Sequence, residues 1–118
     1  MRKEYENNPV VRNAIELSLM IVKYVGHLEK EGKHVIARQV LRCGTSIGAN
    51  IIEAQSAESR PDFIHKMKIA DKEAHETWYW LYLCEKSDGY VYDISIGHKL
   101  DEVMRLLNAI IKTSKTNS

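Results

Sequence analysis

Apolar residues recur along this chain at steps of three and four, separated by polar positions. In the first long run, Val10, Ala14, Leu17, Ile21, Val25 and Leu28 form one stripe, with Val11, Ile15, Leu19 and Val22 beside it. That spacing predicts an amphipathic helix with a wide apolar arc. Arg12, Glu16, Lys23, His27 and Lys30 mark its wet face. Asn8 reads as the N-cap and Pro9 as the first helical residue, because a missing N–H costs nothing in the first turn. Gly32 reads as the left-handed residue that closes the helix after about Glu31. Residues 1–7 are polar and read as loose.

The second pattern predicts a helix from His34 to about Glu58, with a main stripe of Ile36, Val40, Cys43, Ile47, Ile51 and Ala54. A neighbouring stripe holds Ala37, Leu41, Gly48 and Ile52. Gly44 and Gly48 sit inside this helix, where each costs about 1 kcal/mol relative to Ala. Their spacing predicts a gain that offsets the cost, the close approach of a neighbouring backbone. A third helix starts at Ser59-Arg-Pro61-Asp62 and runs to about Lys86, with Phe63, Met67, Ala70, Ala74, Trp78 and Leu81 as its core stripe. Ser87-Asp-Gly89 is a turn and Tyr90-Val-Tyr92 an extended link. Asp93 or Ser95 caps a fourth helix that runs to about Thr113 on Ile96, Leu100, Val103, Leu107 and Ile110. No strand pattern competes. The expectation is a single all-α domain over residues 1–118, an up-down-up-down antiparallel four-helix bundle with Val25, Ile47, Ala74 and Val103 near its centre.

Composition narrows the function more than it names one. A net charge of +1 over 118 residues argues against a strongly charge-driven binder and leaves only local patches. Cys43 and Cys84 lack metal-ligand spacing, fall on helical stripes and read as buried thiols. Arg2-Lys3 is followed by acids rather than an apolar run, and no stretch is apolar enough to span a membrane, so the expected location is the cytoplasm. A di-iron bundle needs Glu-x-x-His pairs on two helices. The one Glu-x-x-His here, Glu31 to His34, is broken by Gly32. Gly44-Thr-Ser-Ile-Gly48 lacks both the Lys-Ser/Thr ending and the preceding strand of a phosphate loop. No motif brings a base to a nucleophile. The reading is therefore a non-enzyme with no metal, cofactor or catalytic residue.

Three groups of residues remain to be explained. Leu41, Ile52, Ile69, Trp80 and Leu83 exceed what one core stripe per helix needs, and they are the candidate oligomer interface. Ser46, Asn50, Glu53, Glu73 and Glu76 form a candidate polar cluster between the second and third helices, with Arg42 on the same face, and read as a lock on register. Lys30, Lys33, Arg38 and Arg42 gather at the corner between the first two helices as the candidate RNA-binding site.

The runs Gly44-Thr-Ser-Ile-Gly-Ala-Asn-Ile-Ile-Glu-Ala54, Asp62-Phe-Ile-His-Lys-Met-Lys-Ile-Ala70 and Lys72-Glu-Ala-His-Glu-Thr-Trp-Tyr-Trp-Leu81 resemble the four helix bundle family, also called the 23S ribosomal RNA intervening-sequence protein family. Its members are bacterial, and some are encoded inside insertions in 23S ribosomal RNA genes. The family is similar to the accessory variability determinant of diversity-generating retroelements, a pentameric bundle that binds nucleic acid and a reverse transcriptase. The resemblance implies a homo-oligomer, with a pentamer favoured, and association with RNA or a nucleic-acid-processing protein. It implies no catalysis. The alternative is a protein–protein scaffold with no affinity for nucleic acid.

Overall fold

The computed structural model describes residues 1–116, which form five helices: α1 (Lys3–Glu6), α2 (Pro9–Lys30), α3 (His34–Ala54), α4 (Arg60–Lys86) and α5 (Ile94–Thr116). Among the described residues there is no strand. The single turn α1 stands where the sequence suggested a loose segment. Half-buried Tyr5 packs against the core, and Arg12 donates from Nη1 to the Glu6 carbonyl at 3.0 Å, which ties this turn to the start of α2.

The helix ends follow local chemistry. Gly32 takes φ +77°, so Gly32 N–H reaches the Glu29 carbonyl and Lys33 N–H the Leu28 carbonyl, closing α2 with both bonds of a Schellman turn. Ser59 is extended and its hydroxyl accepts from Asp62 N–H, capping α4 with Pro61 in its first turn. At the start of α5, Asp93 Oδ1 accepts from the Ser95 backbone at 3.0 Å and from the Ser95 hydroxyl at 2.6 Å, which holds the Asp93 carboxyl below its usual range. Asn8 is extended as a cap should be, but its amide donates to Gln55 Oε1 at 3.1 Å and leaves the α2 amides uncapped by it. Helix α3 stops at Ala54 rather than Glu58. Residues 55–57 tighten into i→i+3 bonds, and the Glu58 N–H is taken by the Asp62 carboxylate.

Contacts between helices fix the topology. Gly44 and Gly48 lie against Ile21 and Ser18, so α2 and α3 are antiparallel. Glu53 faces Lys66 and Arg42 faces Glu76, so α3 and α4 are antiparallel. Tyr24 bonds Val91 while Glu16 bonds Lys99, so α5 runs against α2. Each long helix packs on its sequence neighbours and α5 closes on α2, giving an up-down-up-down four-helix bundle. At about 1.5 Å per residue the helices are 30–40 Å long, and they lie along the 48 Å axis of the molecule. Ile21, Ile47, Met67, Leu100, Val103 and Leu107 are fully buried, while Val25 and Ala74 join the same core.

The paired glycines of α3 act at the α2 seam. A Cβ on Gly44 would stand 2.9 Å from Ile21 Cγ2 and 3.2 Å from both Cγ1 and Cδ1. A Cβ on Gly48 would meet Ser18 Oγ at 3.0 Å.

Candidate functional site

The register of α3 against α4 decides which polar residues meet. Glu73 and Glu76 fall level with Arg42, which sits between them. Its Nη2 contacts Glu76 Oε2, its Nη1 lies 3.8 Å from Glu73 Oε2, and its Nε and Nη2 donate to Gln39 Oε1 at 3.3 and 3.0 Å. Trp80 Nε1 donates to the same Glu76 oxygen at 3.0 Å. The Glu76 carboxyl is held below the usual carboxylate range, first by the indole bond and then by the guanidinium. Glu73 Oε2 is buried without a hydrogen bond, and Arg42 at 3.8 Å is its cation partner among the described residues.

Ser46, Asn50 and Glu53 do not join this cluster. Ser46 donates to the Arg42 carbonyl and Asn50 to the Ser46 carbonyl, each at 2.8 Å within α3. Glu53 lies one further step along, where the antiparallel register presents Lys66 at 4.0 Å. The five-residue cluster expected from the sequence is thus an Arg42–Glu73–Glu76–Trp80 lock, with Gln39 behind it.

That lock also changes the basic corner. Arg42 turns across to α4 and is not part of it. Lys30 and Arg38 remain exposed at the α2–α3 turn, and Lys33 is half-buried with Nζ 4.7 Å over the Tyr90 ring. Glu29 accepts from or pairs with His34 Nδ1 at 2.7 Å beside them. Three cations per chain therefore face solvent or an aromatic ring at this corner, instead of four.

The five candidate interface residues divide between two faces. Leu41, 39% exposed, and half-buried Ile52 stand just outward of the glycine seam. The neighbouring helix α2 carries a stripe more exposed than Leu41: Leu19 at 66% and Val22 at 53%, with half-buried Ile15. Half-buried Ile69, Trp80 and Leu83 share one stripe of α4 with Glu73 and Glu76, on the other side of α3. The α2 residues were visible as a second apolar stripe, but a wide arc does not by itself tell core from surface. Tyr79 is also exposed, and Trp78 stacks on Tyr82 with ring centres 5.1 Å apart.

A match to the model of the 23S rRNA-intervening sequence protein family extends over residues 6–109, spanning α2, α3, α4 and most of α5. The chain belongs to that family. Among solved structures it is similar to the crystal structure, at 1.70 Å, of a protein of unknown function from the S23 ribosomal protein family of Bacteroides thetaiotaomicron VPI-5482. The two share 44% identity over 87% of this chain and 98% of that one, with a TM-score of 0.82. No curated protein matches the chain significantly.

In this family member two thiols and a phenol inside the bundle are shifted by burial. Burial raises both thiols: Cys43 sits near Thr77 and Cys84 near Tyr24. Burial likewise raises the Tyr24 phenol, whose hydroxyl donates to the Val91 carbonyl at 2.6 Å and pins the α4–α5 link. Among the described residues no three His, Cys, Asp or Glu side chains converge as metal ligands would. Among the described residues no helix is long and apolar enough to cross a membrane.

Proposed function

We propose that this chain works without catalysis, as a homo-oligomeric bundle that binds RNA through repeated copies of a weak basic corner. The observation that carries the reading is the pair of unlike apolar faces on either side of α3: Leu19, Val22 and Leu41 on one, Ile69, Trp80 and Leu83 on the other. Two different faces on one subunit pair head to tail, and head-to-tail contacts close into rings when the rotation allows. A five-membered ring is the form the family resemblance implies. Such a ring repeats Lys30, Lys33 and Arg38 around its axis, so several weak contacts act on one strand without any new contact being made. The family name couples these proteins to an intervening sequence of 23S rRNA.

Filter binding of single-stranded RNA of mixed sequence tests the RNA half of this reading. Retention at low salt should fall steeply as salt rises. The Lys30→Gln/Arg38→Gln double variant should reduce that slope while the oligomer stays intact. No retention at low salt removes RNA binding. It then favours the second reading, a protein scaffold without nucleic-acid affinity, which the diversion of Arg42 to Glu73 and Glu76 supports.

A further inference from the structure

The α4–α5 cleft lies on a different side of the bundle from the basic corner and plays no part in the reading above. Its wall on α4 is the stacked pair Trp78 and Tyr82, nearly parallel at 14° and both open to solvent at 49% and 43%. Tyr92 also lines it. The Tyr92 hydroxyl reaches the α5 backbone at Gly97, where any Cβ would stand 2.9 Å from it. Glu85 from α4 and Asp101 from α5 complete the rim around a cavity of about 140 Å³.

Both rim carboxylates lack a hydrogen-bond or ion-pair partner among the described residues. Three other carboxylates are matched by cations, Glu76 by Arg42, Glu16 by Lys99 and Glu53 by Lys66, whereas Glu85 and Asp101 stand beside exposed aromatic rings. The negative field in the cleft is felt by Tyr92, whose phenol is raised first by burial and then by Glu85, Asp101 and Asp93. His98 lines the cleft as well, and Lys86 stands at its edge with Nζ 5.7 Å over the Tyr82 ring. Lys86 thus already places a cation on the aromatic surface, although it neutralises neither Glu85 nor Asp101 by contact.

We infer that this cleft binds an arginine side chain presented by a polypeptide partner. Flat aromatic faces attract a cation through the ring quadrupole, and a guanidinium additionally stacks on them as a plane. Two unpaired carboxylates at the rim supply acceptors to the fork of N–H donors that remains uncovered by the rings. A lysine ammonium has the charge but neither the plane nor the fork, and an uncharged apolar side chain leaves both carboxylates unanswered.

The test uses the full, unsubstituted chain, with the indole N–H of Trp78, one of 2 tryptophans in the sequence, assigned in the nitrogen-15 spectrum by its loss in Trp78→Phe. The shift of that signal is followed on titration with acetyl-arginine amide, acetyl-lysine amide and acetyl-citrulline amide, the last being the uncharged near-isostere of arginine. The arginine compound should give a saturable change in the millimolar range, with half-saturation several-fold lower than for lysine, and citrulline should give none. Adding Glu85→Gln and Asp101→Asn should raise the arginine half-saturation by about fivefold or more, corresponding to a loss of about 1 kcal/mol. A citrulline response equal to that of arginine would mean an apolar slot and overturn the inference. So would equal affinity for lysine, no saturable response to arginine, or an unchanged affinity in the carboxylate variant.

Discussion

At the residue scale, space and charge make opposite demands on similar side chains. Gly44 and Gly26 are both helix-interior glycines, yet a Cβ on Gly44 meets the buried branch of Ile21 at 2.9 Å and one on Gly26 meets nothing within 4 Å. We predict that Gly26→Ala stabilises the bundle by about 0.5–1 kcal/mol, the ordinary helix-propensity gain. Gly44→Leu should destabilise by about 1–3 kcal/mol despite the same gain, because the α2 seam has no room for it. Denaturant titration of both variants checks the pair. Equal shifts of the same sign would refute the close-approach role of Gly44. The Arg42 lock gives a second contrast. Since the folded-state carboxyl of Glu76 lies below its ordinary value of 4.5, its contribution is fully present at neutral pH. That contribution is lost as the pH falls below about 4.5 and through the lower folded-state value. Glu76→Gln should therefore lower the melting temperature at neutral pH, and the gap to the parent should close on acidification below about pH 4.5. A gap independent of pH would show that the charge of Glu76 contributes nothing. The pair is partly exposed, so the neutral-pH loss should be modest, about 1 kcal/mol or less.

At the element scale, Ser59 and Asp93 are caps that bond and Asn8 is one that does not. Ser59 accepts from Asp62 N–H, whereas Asn8 makes no cap bond and instead holds Gln55 across the bundle end. Ser59→Ala should cost about 1 kcal/mol. Asn8→Ala should cost less, and the Asn8→Ala/Gln55→Ala pair should cost less than the sum of the two single changes, because the two residues share one bond. Thermal melts of these variants decide the matter, and a larger loss for Asn8→Ala than for Ser59→Ala would contradict it. These ends also show what was legible beforehand. Gly32, Pro61 and Ser59 announce their roles because a left-handed turn, a first-turn proline and a hydroxyl cap are local requirements. The early stop of α3 at Ala54 was not legible, because it depends on Asp62 of the next helix taking the Glu58 amide. Nor was the split of the polar cluster. Helical spacing places Arg42, Ser46, Asn50 and Glu53 on the α4 side of α3, but only the register of α4 sets Glu73 and Glu76 level with Arg42 and Lys66 level with Glu53.

At the scale of the whole molecule, the bundle itself could be read from four apolar periods and short links, while the outer surface could not. Leu19 and Val22 continue a stripe that begins with buried Val11, and only the closed four-helix arrangement leaves them outside. With exposed Leu41 on the neighbouring α3 they leave large apolar side chains on the α2–α3 side of the bundle, and such surface marks contact. We predict that Leu19→Glu and Leu41→Glu each weaken self-association without loss of helicity, since neither side chain supports the core. The most direct measurement is the solution mass of the intact chain by sedimentation equilibrium at micromolar concentration, beside the same measurement on Leu41→Glu. The account predicts several times the chain mass of 13.6 kDa for the parent, about five times if the ring closes as the family resemblance implies, and a shift toward 13.6 kDa for the variant. A parent that sediments at 13.6 kDa throughout would contradict it.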